Sequence, residues 1–272
     1  MAMLTTGAAQ AANKSVGAAA ATSSEFDCLI EPSQTVEVRS PVPGVIERIF
    51  VERGQNVRRG APLVGLESSV ERAATELSRY KAQMDGAAQS AEARIQHDTR
   101  KVKRKSDLAE RNYASTQDRE DAEADLAIAQ ADALAARENK QLSKLEVAYA
   151  SAQLAQRTIA SPLDGVVVDI GMHAGELAQA GDSKPYIVKL AATNPLRVRL
   201  ILPVSYYLKV KPGLRAAVTP EKPLDMAREA TVTIVDKIID AASGTFQIRM
   251  DLPNPNNSLP GGLKCRVALN GL

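Results

Sequence analysis

The chain has 272 residues and a net charge of +2, and only 3% of its residues are aromatic, with no Trp. That length admits two ordinary domains, but so few aromatics argue against one large globular core and favour an elongated molecule. Charges of both signs are interspersed, so no bulk attraction to nucleic acid or membrane follows from them, and no run of about eighteen apolar residues marks a membrane span.

Residues 1–25 are rich in Ala, Gly, Ser and Thr, and Ala9-Gln10-Ala11 has the small-x-small pattern of a signal-peptidase site. No basic n-region or long apolar h-region accompanies it, so the segment reads as a signal remnant or a disordered lead-in. Cys28 lacks the small preceding residue of a lipoprotein cleavage site. It and Cys265 lie near opposite ends of the chain, in runs 27–30 and 264–269 that read as strands. In an exported protein an even cysteine count favours a disulfide; the alternative is two buried free thiols.

Residues 40–60 recur at 161–181 with a constant offset and no gap: Ser40-Pro41 aligns with Ser161-Pro162, Gly44 with Gly165, Gly54 with Gly175 and Gly60 with Gly181. Val45-Ile46 then falls on Val166-Val167, so each copy is a short-strand unit punctuated by glycine turns. A copy this small cannot bury its own apolar face. Two copies can interlock into one sandwich.

Between the copies, residues 68–157 contain no Pro and one glycine, Gly86. Small or apolar residues recur at steps of three and four through Ala74, Leu77, Met84, Ala88, Ala91, Ile95, Val102 and Ala109, with Lys81, Asp98 and Lys105 as polar interruptions. That spacing predicts a coiled-coil seam. One straight helix of this length would reach about 135 Å, so a reversal is expected, and Asn112-Tyr113-Ala114-Ser115 supplies it. Ser115 with Asp118 three residues on forms a capping signature, and Glu120, Asp121 and Glu123 suit the positive end of a helix. A second register follows through Ala122, Leu126, Ala129, Ala133, Ala136, Val147, Ala150 and Leu154. The stretch is an antiparallel hairpin inserted between the two copies, with the basic run 101–105 as a cross-helix complement to the acids of the second arm.

Beyond the second copy, 196–200 and 246–250 alternate at period two, and 230–235 does so less cleanly, which predicts a β-barrel or sandwich. His97 and His173 are far apart in sequence and have no partner at ligand spacing, and no Ser/His/Asp or Cys/His arrangement occurs. The chain is therefore expected to be no enzyme, with no catalytic residue, no metal and no cofactor.

Gly44-Val45-Ile46 followed by Val51, Gly54, Val57, Gly60 and Leu63 resembles a lipoyl or biotinyl half-motif, and the second copy resembles its partner half. The sequence 240–245, then Leu252-Pro253-Asn254-Pro255-Asn256, then Leu259-Pro260-Gly261-Gly262-Leu263, is similar to the end of an adaptor β-barrel. Together these resemble the HlyD-like membrane fusion proteins, the periplasmic adaptors of bacterial tripartite efflux systems. The resemblance implies an elongated α+β fold: a lead-in at 1–25, a barrel from 26–36 with 192–272, a lipoyl-like sandwich from 37–67 with 158–191, and the hairpin 68–157. It implies a periplasmic protein, peripheral to the inner membrane of a Gram-negative cell. Its expected partners are a TolC-like outer-membrane channel, an inner-membrane transporter (resistance-nodulation-division type ahead of ABC type) and its own copies in a ring.

In that family the channel-docking tip carries Arg, then Leu four later, then Ser seven after that, a pattern met here by Arg104, Leu108 and Ser115. The other reading leaves Arg104 in a solvated basic run, Leu108 in the seam and Ser115 as a cap alone. A carrier protein would need a lysine between its halves, and none occurs from Ser15 to Tyr80. A structural coiled-coil envelope protein without a transport role is the alternative class. The chain departs from many adaptors in stopping just beyond the barrel pattern and in lacking an N-terminal span, which leaves the transporter type open.

Overall fold

The computed structural model describes residues 24–111, 113–181 and 184–269. The lead-in up to residue 23 and Asn112 of the expected reversal lie outside them. The chain divides into two units, Met1–Gln34 with Ala192–Leu272, and Thr35–Ala191.

The first unit is a barrel. Strands β1 (Ser24–Val38), β12 (Leu263–Leu269), β9 (Arg215–Pro220), β10 (Arg228–Val235), β11 (Thr245–Leu252) and β8 (Val188–Pro203) pair in that order, and a β1–β8 pairing closes the circuit. Alternation decides which side faces in: Leu196, Val198, Leu200 and Leu202 of β8 and Phe246, Ile248, Met250 and Leu252 of β11 are buried, while Arg199 and Ile201 between them face out. Each such aliphatic contributes about 1.5–3 kcal/mol on leaving water. The imperfect alternation of β10 has a cause, because its register to β11 slips between Val232 and Ile234 and turns Ile234 outward. Cys28 and Cys265 stand opposite each other in the β1–β12 register and are joined by a disulfide.

Asn254 fixes the loop after β11. It is fully buried, and its Nδ2 donates to the carbonyls of Thr193 (2.9 Å) and Leu259 (2.8 Å) while its Oδ1 accepts from the Leu259 amide at 2.9 Å. A buried amide so placed has its bonding capacity used by backbone groups that would otherwise be orphaned.

In the second unit the two sequence copies interlock reciprocally. Strand β3 (Asn56–Val57) of the first copy pairs with β6 (Gly165–Ile170) of the second, and β7 (Leu177–Ala178) of the second pairs with β2 (Gly44–Ile49) of the first, at equivalent residues. The same exchange recurs in single bonds: Gly54 N–H to Val167 C=O and Gly175 N–H to Ile46 C=O, both 2.8 Å. Ser40 and Ser161 are both buried and both donate to the carbonyl two residues on. Gly54, Gly60, Gly175 and Gly181 all take positive φ, which explains why glycine recurs at these turns. Strands β4 (Pro62–Leu66) and β5 (Thr158–Ala160) complete the sheets over a core of Ile46, Leu63, Leu66, Ile187 and Leu190.

The insertion is a helical hairpin whose first arm is broken. Helix α1 (Ser69–Gln83) stops at Met84, α2 (Gly86–Glu110) resumes, and the second arm is one helix, α3 (Thr116–Ala155), of 40 residues, or about 60 Å. The break corrects the expected seam. Ala74, Leu77 and Met84 point outward, and the inward residue of α1 is Thr75, buried and hydrogen-bonded to the carbonyls of Glu71 (2.7 Å) and Ala150 (3.2 Å). Gly86 and Asp85 allow the chain to re-phase by one residue, after which Ala88, Ala91, Ile95, Val102 and Ala109 turn inward. Along α3 the seam runs through Ala122, Ala129, Ala133 and Ala150, all buried. At its base Arg157 pairs with Glu71 (2.5 Å) and donates to the Pro43 carbonyl, tying both arms to the sheet.

Candidate functional site

The far end of the hairpin is built from short-range bonds. Helix α2 ends at Glu110, and the Tyr113 amide donates back to the Leu108 carbonyl at 2.8 Å, closing the last turn. Ser115 then starts α3 with a full capping box: its Oγ accepts from the Asp118 amide (3.1 Å), and its own amide and hydroxyl donate to Asp118 Oδ2 (3.3 and 2.7 Å). These bonds satisfy donors that a helix start leaves open. Lys105 of the opposite arm reaches Asp118 Oδ1 at 2.9 Å. That ammonium, seconded by Ser115, holds the Asp118 carboxyl down to about 2.

Further from the turn the arms are joined by a ladder of ion pairs: Lys101–Asp125 (2.7 Å), Arg94–Asp132 (3.0 Å), Glu92–Arg137 (3.4 Å) and Asp85–Lys140. Hydrogen bonding to Asp125 raises the Lys101 ammonium and lowers its partner. All these groups are solvated, so each pair fixes register more than it stabilises. Asp98 differs, because it is buried in the seam, where His97 Nδ1 lies 2.8 Å and Arg94 Nε 3.9 Å from its carboxylate.

Arg104 and Leu108 sit one turn apart on α2, each a residue before a seam position, and so share a flank rather than the interface. Leu108 is 43% exposed and does not pack into the seam. Ser115 is exposed at the turn and is also the cap. Tyr113, at 80% exposure, stands at the same end and was not singled out by its sequence context. The only sequence cue to it is an aromatic in a turn within a chain that has few. The end thus presents a cation, two apolar groups and a small hydroxyl on a rigid turn, a surface suited to docking and not to catalysis.

Elsewhere the side chains offer less. A cleft of about 1450 Å³ on the barrel is walled by Arg199, Lys222, Lys264 and Arg266 together with Asp27, Glu221 and Asp225, charges of both signs with no nucleophile–base pair among them. Among the described residues no cluster of three or more His, Cys, Asp or Glu has metal-holding geometry, and no helix is long and apolar enough to cross a membrane.

A helical hairpin set between interlocked β-copies, in a chain that also forms a β-barrel, defines the adaptor class of fold, and the comparisons with known proteins agree. Residues 37–188 match the family model described as YknX, barrel-sandwich hybrid domain. The macrolide export protein MacA of Yersinia pestis is 27% identical over 88% of this chain and 66% of its own length. The multidrug resistance protein MdtE of Escherichia coli K12 is also 27% identical, over 85% of the chain and 60% of its own. Among solved structures, MacA from Actinobacillus actinomycetemcomitans superposes with a TM-score of 0.73 at 22% identity, covering 90% of this chain and 78% of that one, which speaks to the fold. The chain belongs to the membrane fusion protein, or periplasmic adaptor, family, whose members are non-enzymatic, transport-associated proteins. It spans about half to two thirds of the length of the curated relatives it matches.

Proposed function

We propose that this chain is a periplasmic adaptor that couples an inner-membrane transporter to a TolC-like outer-membrane channel for efflux or secretion across a Gram-negative envelope. The interlocked copies act as a split lipoyl-like sandwich of 37–67 with 158–191. The barrel of 26–36 with 192–272 and the sandwich pack with further copies into a ring, and the transporter is of resistance-nodulation-division type ahead of ABC type. The observation that carries the reading is the hairpin end, where Arg104 and Leu108 remain solvent-facing beside a turn locked by Ser115 and Asp118. A rigid, unpartnered end supports docking because little ordering cost is left for the moment of contact.

Arg104→Glu and Leu108→Glu test it, since among the described residues neither side chain makes a hydrogen bond or ion pair that the substitution would break. Each is expected to reduce co-purification of the channel at least about ten-fold while leaving helicity by circular dichroism unchanged. Undiminished recovery of the channel with both variants overturns the docking assignment. Ser115→Arg is the less clean probe, because it also removes a cap worth about 1 kcal/mol.

A further inference from the structure

One pole of the barrel carries a second exposed surface of a different character. Strand β8 ends and β11 begins there, with Pro203 paired to Thr245, so the loop 204–214 and the loop 236–244 emerge side by side and are linked by the Val204 amide on the Gly244 carbonyl at 2.9 Å. Each loop projects one aliphatic side chain almost wholly into solvent: Leu208 and Ile238 are both 85% exposed, with Ile239 and Val204 partly exposed beside them. Neither loop is loose. Val210 is buried in the barrel core, Tyr207 meets the Phe246 ring edge-on at 5.1 Å, and Asp240 accepts from the Ala242 amide to close the second loop on itself.

What surrounds these tips decides their partner. Leu208 is preceded by Tyr206 and Tyr207, half-buried against the Phe26 and Phe246 rings, and followed by exposed Lys209 and Lys211; Ile238 is preceded by exposed Lys237. Lys209 lies over the Tyr206 ring, 5.5 Å from its centroid. None of the three lysines is in an ion pair among the described residues. Of the acids nearby, Asp240 is turned into its own loop, Asp236 is half-buried, and Glu25, next to the Phe26 that packs on Tyr206, is paired with Arg266 at 3.6 Å. Narrow aliphatic tips flanked by lysines match the acyl boundary and the headgroup phosphates of a bilayer in turn. The opposite pole lacks this pattern, since the exposed Met226 there is accompanied by Glu221 and Asp225 as well as Lys222.

We propose that the loops 204–214 and 236–244 form a peripheral membrane-binding surface that inserts Leu208 and Ile238 at the acyl boundary of an anionic bilayer, with Lys209, Lys211 and Lys237 on the headgroup phosphates. The surface is independent of channel docking at the hairpin. Full-length protein is sedimented with phosphatidylcholine vesicles and with vesicles that also contain phosphatidylglycerol. The expected result is binding to the mixed vesicles that weakens as salt rises and falls sharply on phosphatidylcholine alone. Each lysine changed to Gln should lower the partition about five-fold. The pair Leu208→Ser with Ile238→Ser should lower it at least about ten-fold, and Met226→Ser at the other pole should leave it unchanged. Wild-type protein that stays in the supernatant with both vesicle types overturns the proposal, as does partition indifferent to the five pole substitutions. Pole variants that keep full vesicle binding but lose an inner-membrane transporter in pull-down would mark the pole as a protein contact instead, with the hairpin reading untouched.

Discussion

Asp118 accepts from the ammonium of Lys105 on the far arm and from both the hydroxyl and the amide of Ser115. A carboxylate so held is ionised more readily in the folded chain than in the unfolded one, which has a stability consequence of definite sign. The contribution is fully present above the ordinary aspartate value near 3.8 and disappears as pH falls through about 2. We therefore expect the Asp118 carboxyl carbon to titrate by NMR with a midpoint near the bottom of that window, and Lys105→Met to move the midpoint upward. A midpoint at the ordinary value in the wild type would show that the cross-arm bond does not persist in solution. The capping box itself was legible from Ser115 and Asp118, because its signature is local. The bond to Lys105 was not, since it depends on where the other arm comes to lie.

The hairpin shows where periodicity can and cannot be trusted. Along α2 and α3 the seam read from spacing is the seam observed, because an uninterrupted helix carries its phase from turn to turn. In α1 the extrapolated phase put Leu77 and Met84 inside, and both are outside, at 57% and 63% exposure. A two-residue break shifts the phase by one, and a phase shift leaves no mark on hydrophobic spacing when half the seam is alanine. Gly86 was the one visible irregularity. A Cβ built there meets nothing within 4 Å, and its φ is not in the left-handed region. Gly86→Ala should therefore stabilise the hairpin by about 0.4–1 kcal/mol, through a less flexible unfolded chain, read as an upward shift of the helical melt. A downward shift would mean that the break needs glycine's freedom to re-phase the arm. Exposed Val70, Leu77 and Tyr80 on α1, and Met84 just past its end, follow directly from this phase.

Across the whole molecule the two β units are closed by different means. The barrel is locked by Cys28–Cys265, which joins its first and last strands over a sequence separation of 237. A link that spans so much chain restricts the unfolded state strongly, so Cys28→Ala with Cys265→Ala should lower barrel stability by about 2–4 kcal/mol. Urea unfolding followed by near-UV circular dichroism, with and without reductant, measures it; coincident curves would show that β1 and β12 are held by their ladder and the shared core alone. The strand register that places the two sulfurs opposite each other could not be read from two distant cysteines. The interlocked unit was more open to reading, since the gap-free repeat carried its glycines, serines and strands in matching places. The exchange of short strands between copies was hidden, because equivalent sequences pair equally well within a copy or across to the other.

That exchange sets a timetable for synthesis. The first copy can pair β2 with β4, but the other edge of β2 and the whole of β3 stay unpaired until β7 and β6 exist, and they follow only after the whole hairpin has been made. At a translation rate of about 5–20 residues per second, β3 and the outer edge of β2 wait on the order of ten seconds for their partners. Meanwhile the hairpin, whose pairing is between neighbours in sequence, can close on itself and return residues 158–160 to β4. The helices then serve a nascent chain as a splint: they replace a long, costly search between two half-domains by a meeting already arranged at Glu71 and Arg157.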